Sequence, residues 1–287
     1  MLANKGAPEL RSASELLGEM RLLKDSEEVA ILRQAIQLSA RAHRDLTLRV
    51  RPGMTEYEVE AAVEHDFRRA GCAGPAYPTI AASGANATVL HYTRNDRTMC
   101  DGDLLLLDAG GEYGGYCADI TRTIPVGAAY STAQREVYET VLEAQETTIA
   151  AVRPGTSYQE VNMAAVISMV PAMLELGLLE GSKDECIESR SYAKYYMHRT
   201  GHWLGMDVHD LGSYGEDGSR LLEPGMVLTV EPGIYVPEDA PCPERLRGIG
   251  VRIEDDILVT DQGHEVLSSG APKNTGEIEE LRRQALG

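Results

Sequence analysis

Apolar residues recur at helical spacing between residue 26 and about residue 50, with polar residues at the intervening positions. This pattern predicts a helix with one broad apolar face. The face consists of Val29, Ile31, Leu32, Ile36, Leu38 and Ala42. Asp25 or Ser26 is placed to cap the start, and Glu27 and Glu28 fall in the first turn, where the helix dipole favours negative charge. Residues 1–20 are interpreted as a leader or linker remnant that precedes one domain of residues 21–287.

One stretch of the sequence occurs twice. Residues 50–63 read VRPGMTEYEVEAAV, and residues 152–165 read VRPGTSYQEVNMAA. Each copy places Arg-Pro-Gly before a capping box, formed by Thr55 and Glu58 in the first copy and by Ser157 and Glu160 in the second. Each copy therefore predicts a loop that ends one helix and starts another.

A second pair of segments shares the pattern of a glycine, an apolar run, a carboxylate and a glycine. The pattern is typical of a buried strand that ends in a turn. The two segments place Gly102, Leu105, Asp108 and Gly110 against Gly225, Leu228, Glu231 and Gly233. The two pairs of similar segments occur in the same order along the chain. This order predicts a single α+β domain built from two similar halves. A repeat of about a hundred residues is too long for a solenoid.

Composition narrows the class of protein. The chain has 45 acidic residues against 27 Lys and Arg, a formal net charge of −18, which disfavours nucleic acid and anionic membranes as partners. No apolar stretch reaches the roughly 18 residues of a membrane-spanning helix, and the N-terminus lacks the apolar core of a secretory signal. The five cysteines form no C-x-x-C pair, so we expect reduced thiols and a cytoplasmic protein.

Four carboxylates and one imidazole stand at strand ends or in glycine-flanked turns. They are Asp108 in LLLLDAG, Asp119 in YCADITRT, His202 in HRTGHWLG, Glu231 in TVEPGIY and Glu254 in GVRIEDD. Two carboxylates about 4 Å apart repel by roughly 4 kcal/mol at an effective dielectric constant of 20, so convergence of all four requires cations. Two divalent ions would balance them. An oxygen-rich shell with one nitrogen favours Mn²⁺, with Zn²⁺, Co²⁺ and Fe²⁺ as alternatives.

Two neighbouring divalent ions can share a hydroxide, which is a strong nucleophile at neutral pH, so the predicted chemistry is hydrolysis of an amide. The sequence signatures of rival chemistries are missing. The chain contains no H-E-x-x-H, G-x-x-x-x-G-K-[ST], G-x-S-x-G or G-x-G-x-x-G.

Five segments resemble the M24-type pita-bread metallopeptidases, the family of aminopeptidase P, prolidase and methionine aminopeptidase. They are LHYTRND, LLDAGGEYGGYCADITRT, YMHRTGHWLGMDVHD, TVEPGIY and GVRIEDD. They occur in the family's order between about residue 20 and about residue 270, and they are most similar to the aminopeptidase P branch. The resemblance implies an α+β pita-bread fold, with two halves related by a pseudo-two-fold axis and a curved, mostly antiparallel sheet covered by helices.

The resemblance also implies a role for each matching position. Asp108 would bind one metal ion, and Asp119 and Glu254 would bridge both ions. His202 and Glu231 would complete the shell of the second ion. Glu231 would also take a proton from the bridging hydroxide as a general base.

The remaining matches imply contacts with the substrate. His91 would contact the substrate near the leaving side, and His198 and His209 would line a proline pocket and stabilise the tetrahedral intermediate. Arg252 would support the metal ligands from behind, and Tyr235 would steady the reacting carbonyl. The implied enzyme releases the N-terminal residue from peptides with proline in the second position. A proline amide has no N–H, and a pocket of histidines and apolar walls can accept its ring instead.

Three histidines outside these segments carry a structural expectation only. We expect His43, His65 and His264 to be solvated or to cap helices. Trp203, the single tryptophan, is expected in the core.

The sequence departs from the resembled enzymes in length. Aminopeptidase P and prolidase carry a separate N-terminal domain, and the motifs here begin too early for such a domain to precede them. A homo-oligomer is compatible with the sequence but not specified by it. The alternative functions are an Xaa-Pro dipeptidase (prolidase), a methionine aminopeptidase and a non-catalytic pita-bread binding module.

Overall fold

A computed structural model describes residues 13–287. Within these residues the chain forms seven α-helices. They are α1 (Ala13–Leu22), α2 (Ser26–Thr47), α3 (Glu56–Arg69), α4 (Thr132–Ala151), α5 (Tyr158–Glu175), α6 (Lys183–Glu188) and α7 (Thr275–Leu286). In this described part, no helix is both long enough and apolar enough to cross a membrane.

Eleven short strands lie between the helices of the described chain. They are β1 (Gly74–Pro75), β2 (Ile80–Ser83), β3 (Leu104–Asp108), β4 (Gly111–Tyr113), β5 (Tyr116–Cys117), β6 (Thr121–Pro125), β7 (Val227–Val230), β8 (Gly233–Tyr235), β9 (Gly250–Arg252), β10 (Asp255–Thr260) and β11 (Gly263–Val266). Their hydrogen bonds form four small sheets, ordered β1-β4-β5, β2-β3-β6, β11-β10-β7 and β8-β9. Every pairing is antiparallel, as predicted.

The two predicted halves are visible in the strand pairing. In the first half β3 pairs with β6, and in the second half β7 pairs with β10. The halves meet along a seam, which we define as the contacts of β6 with β9 and β10. Across the seam, the backbone N–H of Glu254 donates to the carbonyl oxygen of Thr121 at 3.1 Å. The hydroxyl of Thr123 donates to the carbonyl oxygen of Arg252 at 2.9 Å.

A buried ion pair fastens the same seam. The Arg122 guanidinium on β6 donates to the Asp255 carboxylate on β10 at 2.6 Å, and both side chains are at most 3% exposed. Lys273 donates to the second carboxylate oxygen at 2.8 Å. These two cations hold the pKa of Asp255 below its ordinary value despite burial, so a fixed charge pair joins the halves.

Helices α2, α3 and α5 begin where the sequence predicts. Asp25 caps α2 and accepts hydrogen bonds from two backbone N–H groups of the first turn. The two repeated capping boxes start α3 at Thr55 and α5 at Ser157. Buried residues of α3, α4 and α5 join β3 and β9 in one large core cluster, so these helices cover the strands that lead to the carboxylates.

The N-terminal segment differs from the expectation in part. Helix α1 begins at Ala13, so the boundary drawn after residue 20 falls inside a helix, and residues 1–12 lie outside the described residues. Leu22 ends α1 fully buried against the cluster of Trp203 and Met226. Trp203 is a core residue, as predicted.

One of the three structural histidines was predicted wrongly. His43 lies on the buried face of α2, is 2% exposed, and contacts the carbonyl oxygen of Ala109 through Nε2 at 2.8 Å. His65 and His264 are exposed, as expected. Position 43 follows the helical repeat of the apolar face of α2, which carries the imidazole inward.

Candidate active site

The four carboxylates converge because the two strand pairs present them at equivalent points. In the first half Asp108 ends β3 opposite Thr121, and Asp119 lies just before β6. In the second half Glu231 follows β7, and Glu254 lies between β9 and β10. Each half therefore contributes one carboxylate at the end of its first strand and one at the start of the antiparallel partner.

His202 completes the cluster. Its Nε2 lies 3.3 Å from Oδ2 of Asp119 and 3.5 Å from Oε1 of Glu231. One ligand atom each of Asp119, His202 and Glu254 lie within 4.8 Å of one another. Nδ1 of His202 lies 3.0 Å from the carbonyl oxygen of Trp203, so this nitrogen carries a proton and Nε2 is the one directed at the carboxylates.

Tyr77 joins two of the carboxylates and was missed by the sequence reasoning. Its hydroxyl lies 2.7 Å from Oδ1 of Asp108 and 2.6 Å from Oδ1 of Asp119. Burial, together with these carboxylates, raises the pKa of Tyr77 well above its ordinary value, so it stays protonated. A phenol has one proton and donates to one carboxylate at a time. The second short contact needs a further proton or a nearby cation.

The electrostatics of the cluster favour protons or cations. Burial is the main cause that raises the pKa of Asp108, raises that of Glu231 to about 7, and raises that of Glu254 well above its ordinary value. For His202, burial is outweighed by Asp119 and Glu231, which raise its pKa to about 9. Buried carboxylates that compete for protons, with an imidazole Nε2 among them, are a donor set that fits divalent metal ions.

Arg252 lies behind the carboxylates and is 5% exposed. Its guanidinium donates to Asp108, to the hydroxyl of Tyr235 at 3.1 Å and to the hydroxyl of Thr121 at 3.1 Å. The Thr121 hydroxyl in turn donates to Oε2 of Glu254 at 2.6 Å. Arg252 therefore contacts Asp108 directly and Glu254 through Thr121, one carboxylate from each half, which is the supporting position expected for it.

Tyr235 occupies a different place from the one expected. It is fully buried, and its hydroxyl lies between Arg252 and Nε2 of His198, at 2.8 Å from the latter. Because Arg252 donates to the Tyr235 oxygen, the tyrosine proton is directed at Nε2 of His198. Nδ1 of His198 lies 2.7 Å from the carbonyl oxygen of Arg199 and carries its own proton. Burial, assisted by Arg252, lowers the pKa of His198 to about 4, so the imidazole is neutral.

A cavity of about 470 Å³ opens above the carboxylates. All of the predicted site residues line it except Tyr235. The lining includes His91, Asp108, Asp119, His198, His202, His209, Glu231, Arg252 and Glu254, together with the apolar side chains of Leu90 and Val208. His209 packs edge-on against His202 with ring centroids 4.4 Å apart, and His91 lies on an exposed loop with a positive φ of 53°. The ten predicted site residues thus line one cavity or, in the case of Tyr235, lie just behind its wall.

Three further residues contact the ligands without having been predicted. Thr229 accepts a hydrogen bond from the backbone of His202 at 3.0 Å and donates to Oε1 of Glu231 at 3.3 Å. Asp256 accepts from the backbone N–H of Asp119 at 3.2 Å, and Thr121 contacts Glu254 as described above. All three stand within two residues of a predicted ligand, which is the one signal in the sequence that points to them.

The chain belongs to metallopeptidase family M24, whose profile matches residues 30–261. It has the pita-bread fold of that family. Its architecture superimposes on a variant of Escherichia coli aminopeptidase P solved in complex with substrate, with a TM-score of 0.94 and 50% identity. That comparison covers 96% of this chain and 62% of the solved one.

Two similar bacterial proteins are named Xaa-Pro aminopeptidase. The chain is 52% identical over 263 residues to the Xaa-Pro aminopeptidase of Escherichia coli, which covers 92% of this chain and 60% of the relative. It is 48% identical over 266 residues to the Xaa-Pro aminopeptidase of Haemophilus influenzae, which covers 93% and 62%. The chain thus spans about three fifths of the length of these relatives.

Proposed function

We propose that this protein is an aminopeptidase that releases the N-terminal residue from peptides with proline in the second position. The observation that carries the proposal is the cluster of four carboxylates and His202 at the floor of a cavity with imidazole and apolar walls. The names of the two bacterial relatives support the same substrate class. Peptides with an Xaa-Pro N-terminus are the proposed partners, and a cytoplasmic location and a homo-oligomer stay predictions.

We propose two divalent ions, with Mn²⁺ as the expected metal. Asp108 would hold one ion, Asp119 and Glu254 would contact both, and His202 and Glu231 would complete the other. Ions bound here would polarise the scissile carbonyl and lower the pKa of the attacking water. The donor set supports this assignment because four carboxylates, with an imidazole that would lose its Nε2 proton on binding a metal ion, match the charge and the ligand preference of two such ions.

Glu231 is the proposed general base. Its Oε1 accepts a hydrogen bond from Thr229, and Oε2 lies 3.9 Å from Nδ1 of His198, so the carboxylate is held in place at the cavity floor. A carboxylate in this position takes the proton of the attacking water and returns it to the amine of the leaving peptide.

The cavity walls support binding of a proline ring. Leu90 and Val208 provide apolar surface, and His91 and His209 border it. Recognition by shape requires no N–H from the substrate, which proline lacks. Because both nitrogens of His198 are engaged, we assign it to the wall and assign hydrogen bonding to the reacting carbonyl to His209. Tyr235 acts through His198 and Arg252.

The proposal is tested by hydrolysis of the tripeptide Ala-Pro-Ala, with Mn²⁺ and with a chelator. Asp119→Asn keeps the size of the side chain and removes a bridging charge. We expect it to lower kcat by at least about 10²-fold, since even outer partners of a metal ligand contribute roughly 10–100-fold. Metal content, measured on the same samples, should fall with it. The matched control is Asp184→Asn on the exposed face of α6, which should keep both the kcat and the metal content of the wild-type protein.

Other substrates separate the alternatives. Faster cleavage of the dipeptide Ala-Pro than of Ala-Pro-Ala would indicate a dipeptidase. Cleavage of Met-Ala peptides without cleavage of Ala-Pro-Ala would indicate a methionine aminopeptidase. Protein that binds no divalent ion and stays inactive after addition of Mn²⁺ would indicate a binding module, and each of these results contradicts the proposal.

A further inference from the structure

The connection between α1 and α2 packs against the loop that carries His209. We call residues 203–212 the His209 loop. Leu22 is fully buried in the same cluster as Trp203, and a side-chain carbon added at Gly18 would lie 3.1 Å from the backbone nitrogen of Gly212. The N-terminal helix therefore approaches this loop closely at Gly18 and at Leu22.

A buried carboxylate ties the loop to this connection. Asp210 follows His209 in the chain, and its Oδ2 accepts a hydrogen bond from Nζ of Lys24 at 3.1 Å. Both side chains are 1% exposed. Arg21 donates to the other oxygen of Asp210 and, at 2.7 Å, to Asp207 in the same loop. Two cations from outside the loop thus hold one buried anion inside it.

The position of Asp210 determines the position of the histidine beside it. The backbone N–H of Asp210 donates to the carbonyl oxygen of Trp203 at 3.0 Å and closes the loop. The carboxylate lies against the loop backbone, since a side-chain carbon at Gly205 would be 2.0 Å from its Oδ2. The closed loop brings the ring of His209 to 4.4 Å from that of His202, between centroids.

We propose that Lys24 and Arg21 are positioning residues that fix the imidazole of His209 at the reacting carbonyl through the carboxylate of Asp210. The inference rests on the proposed function, because it assigns these residues to the same reaction. Both cations precede residue 30, where the match to the family begins. The catalytic cavity therefore depends on a segment N-terminal to the part that defines the family.

Stability alone does not account for such a cluster. Burying an ion pair costs desolvation that its Coulomb attraction barely repays, so apolar residues of similar size would hold the loop equally firmly. The charges instead fix the orientation of the Asp210 carboxylate. Lys24 and Arg21 each donate to a different oxygen of this carboxylate, which fixes its plane. A fixed plane at Asp210 restricts the backbone that carries His209.

Kinetics of the full chain with Mn²⁺ and Ala-Pro-Ala test the proposal. Lys24→Met should lower kcat about ten-fold with little change in KM, because a small misplacement of a reacting group is costly. Lys24→Arg, which keeps the positive charge, should retain most of the wild-type kcat. The matched control is Arg33→Met, which breaks the half-exposed ion pair of α2 with Glu265 and should leave kcat unchanged.

A double-mutant comparison identifies the route of the effect. If Lys24 acts through His209, then Lys24→Met should cause little further loss of kcat in a His209→Ala background. An equal fold-loss in both backgrounds would overturn the proposal. If Lys24→Met does not fold, as judged by circular dichroism, Arg21→Gln should give a smaller loss of kcat with the same dependence on His209.

A second measurement does not depend on activity. In metal-free protein, the imidazole ¹H–¹³C signal of His209, assigned by its disappearance in His209→Ala, should shift in Lys24→Met and Arg21→Gln but not in Arg33→Met. An unchanged signal would overturn the proposal. If wild-type protein fails to cleave Ala-Pro-Ala while the signal shifts as expected, then the proposed function fails and the positioning of His209 stands.

Discussion

His43 sits behind the strand that delivers Asp108. Its Nε2 lies 2.8 Å from the carbonyl oxygen of Ala109 and therefore donates to it, which leaves Nδ1 unprotonated and, among the described residues, without a hydrogen-bond partner. Burial is the main cause that lowers the pKa of His43 to about 4. A neutral imidazole thus supports the turn after Asp108 from inside the core.

This burial makes stability depend on pH. Below its ordinary pKa of about 6.5, His43 takes up a proton in the unfolded chain, whereas in the folded protein it stays neutral until about pH 4. Neutral His43 therefore makes its full contribution to the free energy of unfolding above pH 6.5. This contribution is lost as the pH falls towards 4, by up to about 3 kcal/mol. Denaturant unfolding at pH 7.5 and at pH 4.5 measures this loss of unfolding free energy. The loss should be smaller in His43→Gln, which keeps a donor in place of Nε2, than in the wild-type protein. Equal pH dependence in both proteins would contradict this prediction.

Single residues show where sequence reasoning stops. Asp108 and Glu231 could be singled out in the sequence because each stands at the end of an apolar run and shortly before a glycine. Tyr77 lies in the short loop between β1 and β2, where no periodicity exists and nothing but the folded structure brings it to Asp119. The inward direction of His43 follows from the helical repeat of α2, but its contact with the carbonyl oxygen of Ala109 is tertiary and leaves no local pattern.

Helices α3 and α5 show how a local signal starts an element in each half. In both, the carboxylate at the third helical position accepts a hydrogen bond from the backbone N–H of the capping residue, at 2.7 Å in each case. The hydroxyl of Ser157 also accepts from the N–H of Glu160 at 3.2 Å. Two otherwise unpaired backbone donors are satisfied at the start of α5.

Loss of the cap should have a small and local cost. Ser157→Ala removes the hydroxyl acceptor and should lower the free energy of unfolding by about 1 kcal/mol. Differential scanning calorimetry should register a drop of about 2 °C in Tm. Ser157→Asp restores an acceptor and should recover most of this loss. A Ser157→Asp protein as unstable as Ser157→Ala would argue against the capping explanation.

Helices α2 and α1 show what a periodic pattern predicts and what it misses. The apolar face and acidic first turn of α2 identified it within a few residues of its observed bounds. Residues 1–20 were interpreted as a leader because they are mostly small and polar. Helix α1 begins within them, and its Leu16 and Leu17 face solvent, so they do not mark a buried face. The contacts of Leu22 and Lys24 that hold this segment are tertiary and leave no local pattern.

At the scale of the molecule, the site is held where two halves meet. Asp108 and Asp119 come from one half, and Glu231 and Glu254 come from the other. Burial, together with the neighbouring carboxylates, raises the pKa values of Asp108, Glu231 and Glu254, which indicates that burying these charges in the folded chain costs free energy. Bound divalent cations would remove that cost.

Metal should therefore stabilise the fold. A divalent ion that binds the folded chain and not the unfolded one at 100 times its Kd contributes about 3 kcal/mol. We expect Tm to rise with Mn²⁺ concentration and to fall after chelation, in scanning calorimetry of the full chain. Asp119→Asn should reduce the shift, while Asp184→Asn should keep it. A Tm that does not respond to Mn²⁺ would contradict a metal centre at these residues.

The seam has a consequence for how the molecule opens. Amide protons of Glu254 and Asp119 are bonded to groups of the opposite half, Thr121 and Asp256. These amide protons exchange with deuterium only when the two halves separate at the seam, which the buried ion pair of Arg122 and Asp255 also holds closed. The slowest-exchanging amides of the chain should then lie at the working centre, which would be the last region to come apart rather than a flexible cleft.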